Sequence, residues 1–199
     1  MVASLRIQQL YMKTIYYKLI ILIVASALLV PGPGVRAELP SEYQIKAAFL
    51  YKFARFVEWP EGTFADDGDP IRIGVLGEDP FGGLLDRVVR DRMVQGRRLE
   101  IKRLERIEDL QDCHVLFVGS SHKRRLSQIL QHLDGSGVLT VGEMSLFARD
   151  GGMIRLYTKE ERVQFEINVD AAERAGLQIS SELLKLARII QLKDGREKP

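Results

Sequence analysis

Apolar positions along the chain change their spacing several times, and each change predicts an element. In "IKAAFLYKFARFVEWP" (Ile45 to Pro60), Ile45, Phe49, Leu50, Phe53, Phe56 and Val57 fall within one arc of about 140° on a helical wheel. Gln44, Tyr51, Lys52 and Arg55 lie outside it. This spacing predicts a helix whose aromatics pack on a core and whose bases mark the wet side, stopped before Pro60 because proline disfavours helix in the preceding residue. From Ile71 onward, short apolar runs alternate with amphipathic ones, the arrangement of crossover connections and a largely parallel sheet. "IRIGVLG" (Ile71 to Gly77), the half-exposed "RLEIKRL" (Arg98 to Leu104), the nearly all-apolar and therefore central "HVLFVGS" (His114 to Ser120) and "GVLTVGE" (Gly137 to Glu143) read as strands. Helices are expected near Phe81 to Met93 and in "HKRRLSQILQHL", which follows the third strand.

The end of the chain has a different period. "GGMIRLYTKEERVQFEIN" alternates on both sides of the polar turn "TKEER" and predicts a hairpin, with Ile154 and Leu156 on one face and Val163, Phe165 and Ile167 on the matching face across the turn. "SSELLKLARII" (Ser180 to Ile190) reads as a last helix capped by Ser180 or Ser181. The expected class is α/β: one domain with a largely parallel central sheet flanked by helices, a C-terminal antiparallel hairpin and a final helix.

The start of the chain decides where that domain works. Arg6, Lys13 and Lys18 precede the 12-residue apolar run Leu19 to Val30, and Val35 and Ala37 then offer small residues before a cut at Glu38. Residues 1–37 thus read as a signal peptide and 38–199 as the mature domain, with an ordered core over about 42–190. The alternative is an uncleaved anchor, but a membrane span needs about 20 apolar residues. Either way the domain lies outside the cytoplasm. The leader holds four of the 29 Lys and Arg residues and none of the 27 Asp and Glu, so 25 bases against 27 acids leave the mature chain near −2 rather than +2. Nucleic-acid binding depends on neutralising phosphates, and this balance argues against it.

Candidate chemistry is sparse. Ligands of open α/β sheets sit beyond the carboxyl ends of the strands, where "GEDPFGG", "GSSHK" and "GEMS" each open with glycine. Gly77, Phe81, Ser120, Ser121 and Gly142 are therefore the candidate pocket residues for a small-molecule effector, although glycine equally suits a tight turn. "GEDPFGG" lacks the P-loop ending and the Rossmann spacing. Ser120, Ser121 and His122 are chain neighbours without the Gly-x-Ser-x-Gly elbow. His114, His122 and His132 have no metal-ligand spacing, and the single cysteine, Cys113, can form no internal disulfide; directly before an apolar strand, it reads as a buried, inert thiol. Glu105, Glu108 and Asp109 read as a solvated helix face. Nothing here calls for an enzyme, a cofactor or a metal.

"EYQIKAAFLYKFARFVEWP", "IRIGVLGEDPFG", "CHVLFVG" and above all the segment Phe147 to Ile190 resemble the YfiR family of small periplasmic proteins, over nearly all of Glu42 to Ile190. The resemblance implies regulation without catalysis: binding to the periplasmic sensing domain of an inner-membrane diguanylate cyclase, repression of cyclic-di-GMP production and hence of biofilm formation. A membrane histidine kinase is the alternative partner, and a homodimer is also implied. Paired redox cysteines known in the family have no counterpart beside Cys113, which puts such a switch in doubt. Tyr and Arg are enriched at interface hot spots, so the expected partner surface combines Arg155, Tyr157 and Arg162 of the hairpin with Tyr51 and Arg55 of the first helix.

Overall fold

A computed structural model describes residues 41–191 of the protein. The signal-peptide expectation for 1–37 and the polar tail "KDGREKP" lie outside the described residues. The described chain starts with a capping box. Ser41 Oγ accepts from the Gln44 N–H at 3.3 Å and Gln44 Oε1 accepts from the Ser41 N–H at 2.8 Å, satisfying two donors that a helix start otherwise leaves unpaired. Helix α1 (Glu42–Phe56) follows, with Ala47, Leu50, Phe53 and Ala54 buried. It ends four residues before Pro60, because Val57–Glu58 turns into a short strand, β1, paired antiparallel with β9 (Gln178–Ile179).

The remaining strands form one eight-stranded sheet. They are β2 (Ile71–Leu76), β3 (Met93–Val94), β4 (Arg97–Leu104), β5 (Val115–Val118), β6 (Leu139–Gly142), β7 (Ile154–Lys159), β8 (Arg162–Asn168) and β10 (Arg188–Ile190), in the order β10-β8-β7-β6-β5-β2-β4-β3. Pairs from β4 through β2, β5 and β6 to β7 are parallel, whereas β3 with β4 and β7 with β8 are antiparallel. The sequence predicts this mostly parallel α/β architecture, and the structure has it.

Central strands bury both faces, which explains their unbroken apolar runs. On one face Ile71, Ile73, Val75, Val115, Phe117, Leu139 and Val141 meet α1, α2 (Gly83–Val89) and α4 (Val169–Arg174). On the other face Leu76, Leu116 and Val118 meet the 3-10 turn Ile107–Asp112 and α3 (Leu126–His132) through Ile107, Leu110, Leu126 and Ile129. Each such side chain contributes about 1.5–3 kcal/mol when fully buried.

Four elements depart from the sequence pattern. The helix expected over Phe81 to Met93 stops at Val89, and Gln95 and Gly96, both with positive φ, turn the chain into the β3–β4 hairpin. The helix expected from His122 begins as a 3-10 turn, Ser120–Arg125, before α3. Glu105 lies outside any helix, and Glu108 and Asp109 sit exposed on a 3-10 turn rather than an α-helix. Most consequentially, the last helix is only α5 (Ser181–Leu184), with Ser180 Oγ accepting from the Leu183 N–H at 3.3 Å, while Arg188–Ile190 pairs in parallel with β8 as β10. The β-branched pair Ile189–Ile190 satisfies an otherwise open sheet edge, and tertiary pairing overrides the helical period there.

The hairpin keeps its expected register. Ile154 faces Ile167, Leu156 faces Phe165 and Thr158 faces Val163. Phe165 packs on Phe49 and Phe53 of α1, with ring centroids 5.2 Å away in each case.

Candidate functional site

Strand order reverses direction around β2, which has β4 on one side and β5 on the other, so the crevice between the carboxyl ends of β2 and β5 is the position where such sheets take ligands. The structure brings Gly77 and Ser121 together there, but against each other. Ser121 Oγ accepts from the Glu78 N–H at 3.2 Å, and the His122 ring lies so close to Gly77 that a Cβ at that position would collide with it. Gly77 also has φ +86°, so its glycine serves both a turn and a close approach. Phe81 is buried edge-on between Tyr43 (5.7 Å) and Phe117 (4.8 Å). Gly142 is covered by the Phe147 ring, 2.5 Å from where a Cβ would stand, and Ser120 is exposed. These five residues thus lie at one end of the sheet, where the His122 and Phe147 rings occupy the space beside Gly77 and Gly142.

Four polar residues at that end were not anticipated. Lys46 is 3% exposed, and its Nζ lies 2.6 Å from Glu42 Oε1 and 2.6 Å from Glu143 Oε2. Tyr43 Oη is 3.4 Å from both Glu143 oxygens. Desolvation opposes the Lys46 charge, but the two carboxylates outweigh it and raise its pKa; the same lysine lowers that of Glu42. The arrangement clamps α1 to the loop after β6. Its signal was present: Lys46 falls inside the apolar arc of α1, where a lysine must find partners.

A cleft of about 440 Å3 opens at the opposite, amino end of β2, β5 and β6, where Thr63, Asp69, Arg72, Cys113, His114 and Ser136 contribute to its walls. His114 is buried, stacked on Phe64 at 4.6 Å, and its Nδ1 accepts from the Arg72 N–H at 2.9 Å. Burial, aided by the Arg72 charge, holds the imidazole below its ordinary pKa and so neutral. Arg72 Nη2 pairs with Asp69 Oδ1 at 2.6 Å. Cys113 is buried, and desolvation pushes its thiol up to about 11, which keeps the reactive thiolate scarce at neutral pH. Among the described residues, no group of three or more His, Cys, Asp or Glu side chains is placed to hold a metal.

The expected partner residues separate into two places. Tyr51 and Arg55 lie on α1, on the same side of the sheet as Leu156 and Phe165. Arg155 and Tyr157 alternate with those core residues and face the other side, where the hairpin belongs to neither apolar cluster. There Arg155 Nη1 donates to Glu166 Oε1 at 3.2 Å, its guanidinium lies 4.9 Å from the centre of the Tyr157 ring, and Tyr157 Oη donates to Gln164 Oε1 at 3.1 Å. The Arg155 Nε–H is buried without an acceptor among the described residues. Arg162 is exposed at the turn end.

A mostly parallel α/β domain, with a buried ion-pair clamp at the carboxyl end of its sheet and a polar face on its C-terminal hairpin, is the class of protein that the fold and site define. Residues 43–188 match the YfiR/HmsC-like family model, and the chain belongs to that family. This places it in a family of periplasmic regulators connected with cyclic-di-GMP signalling. Among solved structures, a conserved domain protein from Vibrio cholerae O1 biovar El Tor aligns at TM-score 0.50 and 14% identity, over 75% of this chain and 60% of that one, and shares the fold. An ABC domain from Streptococcus pneumoniae in complex with L-Trp aligns at TM-score 0.45 and 11% identity, over 60% of this chain and 55% of that one, a likeness that carries no argument about function. The chain thus spans 55% and 60% of the lengths of these two structures. No helix among the described residues is long and apolar enough to cross a membrane.

Proposed function

We propose that the protein is a non-catalytic periplasmic repressor that binds the periplasmic sensing domain of a membrane diguanylate cyclase and holds it inactive, lowering cyclic-di-GMP and biofilm formation. The observation that supports this reading over a ligand-driven one is the contrast between the two candidate sites: at the crevice His122 and Phe147 occupy the space beside Gly77 and Gly142, while Tyr157 and the exposed Arg162, beside an Arg155 held by the buried Glu166, stand on a hairpin face that contributes to neither apolar cluster. Arg and Tyr are residue types that carry binding energy at interfaces. Tyr51 and Arg55, on the other side of the sheet, form a separate contact region of the same proposal. A repressor shifts its partner only by binding one state more tightly, and several kcal/mol of difference suffice.

The test is cellular cyclic-di-GMP with the gene deleted, restored, and restored as Tyr157→Ala/Arg162→Ala. Deletion raises the nucleotide, the native gene brings it down, and the double variant fails to do so while melting at the native temperature. An unchanged level on deletion removes the cyclase and leaves a membrane histidine kinase as the partner. A double variant that represses normally moves the interface elsewhere.

A second reading, a small-molecule accessory module, is favoured by the cleft beside His114 and Arg72 rather than by the residues of the crevice. Its mark is a ligand-dependent rise in melting temperature, since a ligand selective for the native state stabilises it by mass action.

A further inference from the structure

The two edges of the large sheet are chemically unlike. At the β10 edge the exposed side chains include Leu186 and Ile189. At the β3 edge, residues 87–98 carry five arginines, Arg87, Arg90, Arg92, Arg97 and Arg98, against one carboxylate, Asp91. Arg97 is committed inward, donating to the Asp66 and Asp69 carbonyls at 2.5 and 2.9 Å. The other four are exposed, and none makes an ion pair among the described residues. Four bases outside any ion pair line this rim, more than the exposed acids Asp91 and Glu100 beside them, in a mature chain whose sequence balance is near −2.

The rim is also held in shape. Its hairpin turns on Gln95 and Gly96, and Gln95 Nε2 donates to the Val57 carbonyl at 3.2 Å, tying the turn to the end of α1. The Arg92 guanidinium lies 4.8 Å from the centre of the Tyr51 ring, which joins the rim to α1. Met93, 53% exposed, stands between these bases.

We propose that this edge is a membrane-surface contact, which lays the protein on a bilayer of anionic phospholipids through Arg87, Arg90, Arg92 and Arg98, with Met93 at the headgroup level. A lipid surface asks only for several cations on one side of a rigid body and an apolar or aromatic tip. An acidic protein partner is less well matched, because protein interfaces are built around a buried apolar core with anchors, and Met93 is the one large apolar side chain exposed in this segment. Surface attachment would confine the regulator to the plane of its partner and raise the local concentration without a new contact between the two proteins. The inference rests on the periplasmic placement of the proposed function, but its test contains no partner protein, so either can fail alone.

The probe is sedimentation of the protein, as processed by its host cell, with vesicles of equimolar phosphatidylethanolamine and phosphatidylglycerol, beside vesicles of phosphatidylethanolamine with neutral phosphatidylcholine. Binding is expected to the anionic vesicles alone, to weaken with added salt, and to fall on the order of a thousandfold in Arg87→Gln/Arg90→Gln/Arg92→Gln/Arg98→Gln. The control Lys123→Gln/Arg124→Gln/Arg125→Gln removes three exposed bases from the 3-10 turn and is expected to bind nearly as the native protein does. Melting curves establish that each variant is folded. Equal losses in both variants would show bulk attraction and overturn the assignment of this edge. Absence of vesicle binding would overturn it too, and capture of a polyglutamate peptide in its place would assign the edge to an acidic protein.

Discussion

His114 shows how much a single residue can hide in a strand. In the sequence it opens a strand and has no metal-ligand spacing; in the structure it is a buried hydrogen-bond acceptor between the Arg72 amide and the Phe64 ring. Its folded pKa lies below the ordinary 6.5, first because of burial and then because of Arg72. As pH falls below 6.5 the unfolded chain takes the proton before the folded one does, so the stability this histidine supplies is complete above 6.5 and is lost as pH falls from there through the folded value. His114→Gln keeps an acceptor and removes the titration. The expected result is that thermal stability of the native protein falls more between neutral pH and about pH 5 than that of the variant; parallel curves would mean that His114 exchanges no proton on unfolding. Lys46 teaches the related lesson that a polar residue inside an apolar arc was visible in the sequence, whereas its partner Glu143, 97 positions away, could only be supplied by the fold.

Among the elements, legibility followed periodicity. Strands β2, β5 and β6 could be read from unbroken apolar runs, and β4 and the β7–β8 hairpin from alternation. β3, β9 and β10, with two or three residues each, carry no period of their own and exist because a neighbour offers an unpaired edge. The β7–β8 turn illustrates what period alone omits. Lys159 pairs with Arg162, and the two residues between them, Glu160 and Glu161, both have positive φ, 50° and 59°. Such a two-residue hairpin turn prefers Asn-Gly, and glutamate is strained there as well as like-charged with its neighbour. Glu160→Asn/Glu161→Gly should raise stability by about 1 kcal/mol in urea unfolding without changing the slope. No gain would mean that the pair is retained for folding reasons that the turn geometry does not contain.

At the scale of the molecule, the two apolar clusters lie on opposite faces of one sheet, and β2 and β5 contribute alternate residues to both: Ile73 and Val115 to one, Leu76 and Leu116 to the other. Loss of either cluster strips one face of the same strands, so the described part of the chain should unfold as one cooperative unit. The chain supplies its own reporter. Its one tryptophan, Trp59, packs edge-on against Phe64 at 5.9 Å and His114 at 6.3 Å, on the segment between β1 and β2 that borders the amino-end cleft. Trp59 Nε1 is buried without an acceptor among the described residues, and Thr63 Oγ1 donates to the Pro60 carbonyl at 2.8 Å, so this segment depends more on ring packing than on a hydrogen-bonded ladder. Its rings nevertheless rest on a histidine fixed to β2, which couples it to the sheet. Urea titration followed by Trp59 fluorescence and by far-ultraviolet circular dichroism should therefore give one midpoint. A fluorescence midpoint at lower urea would show the 59–70 segment opening on its own while the sheet persists, and would make the cleft beneath it accessible from the native state.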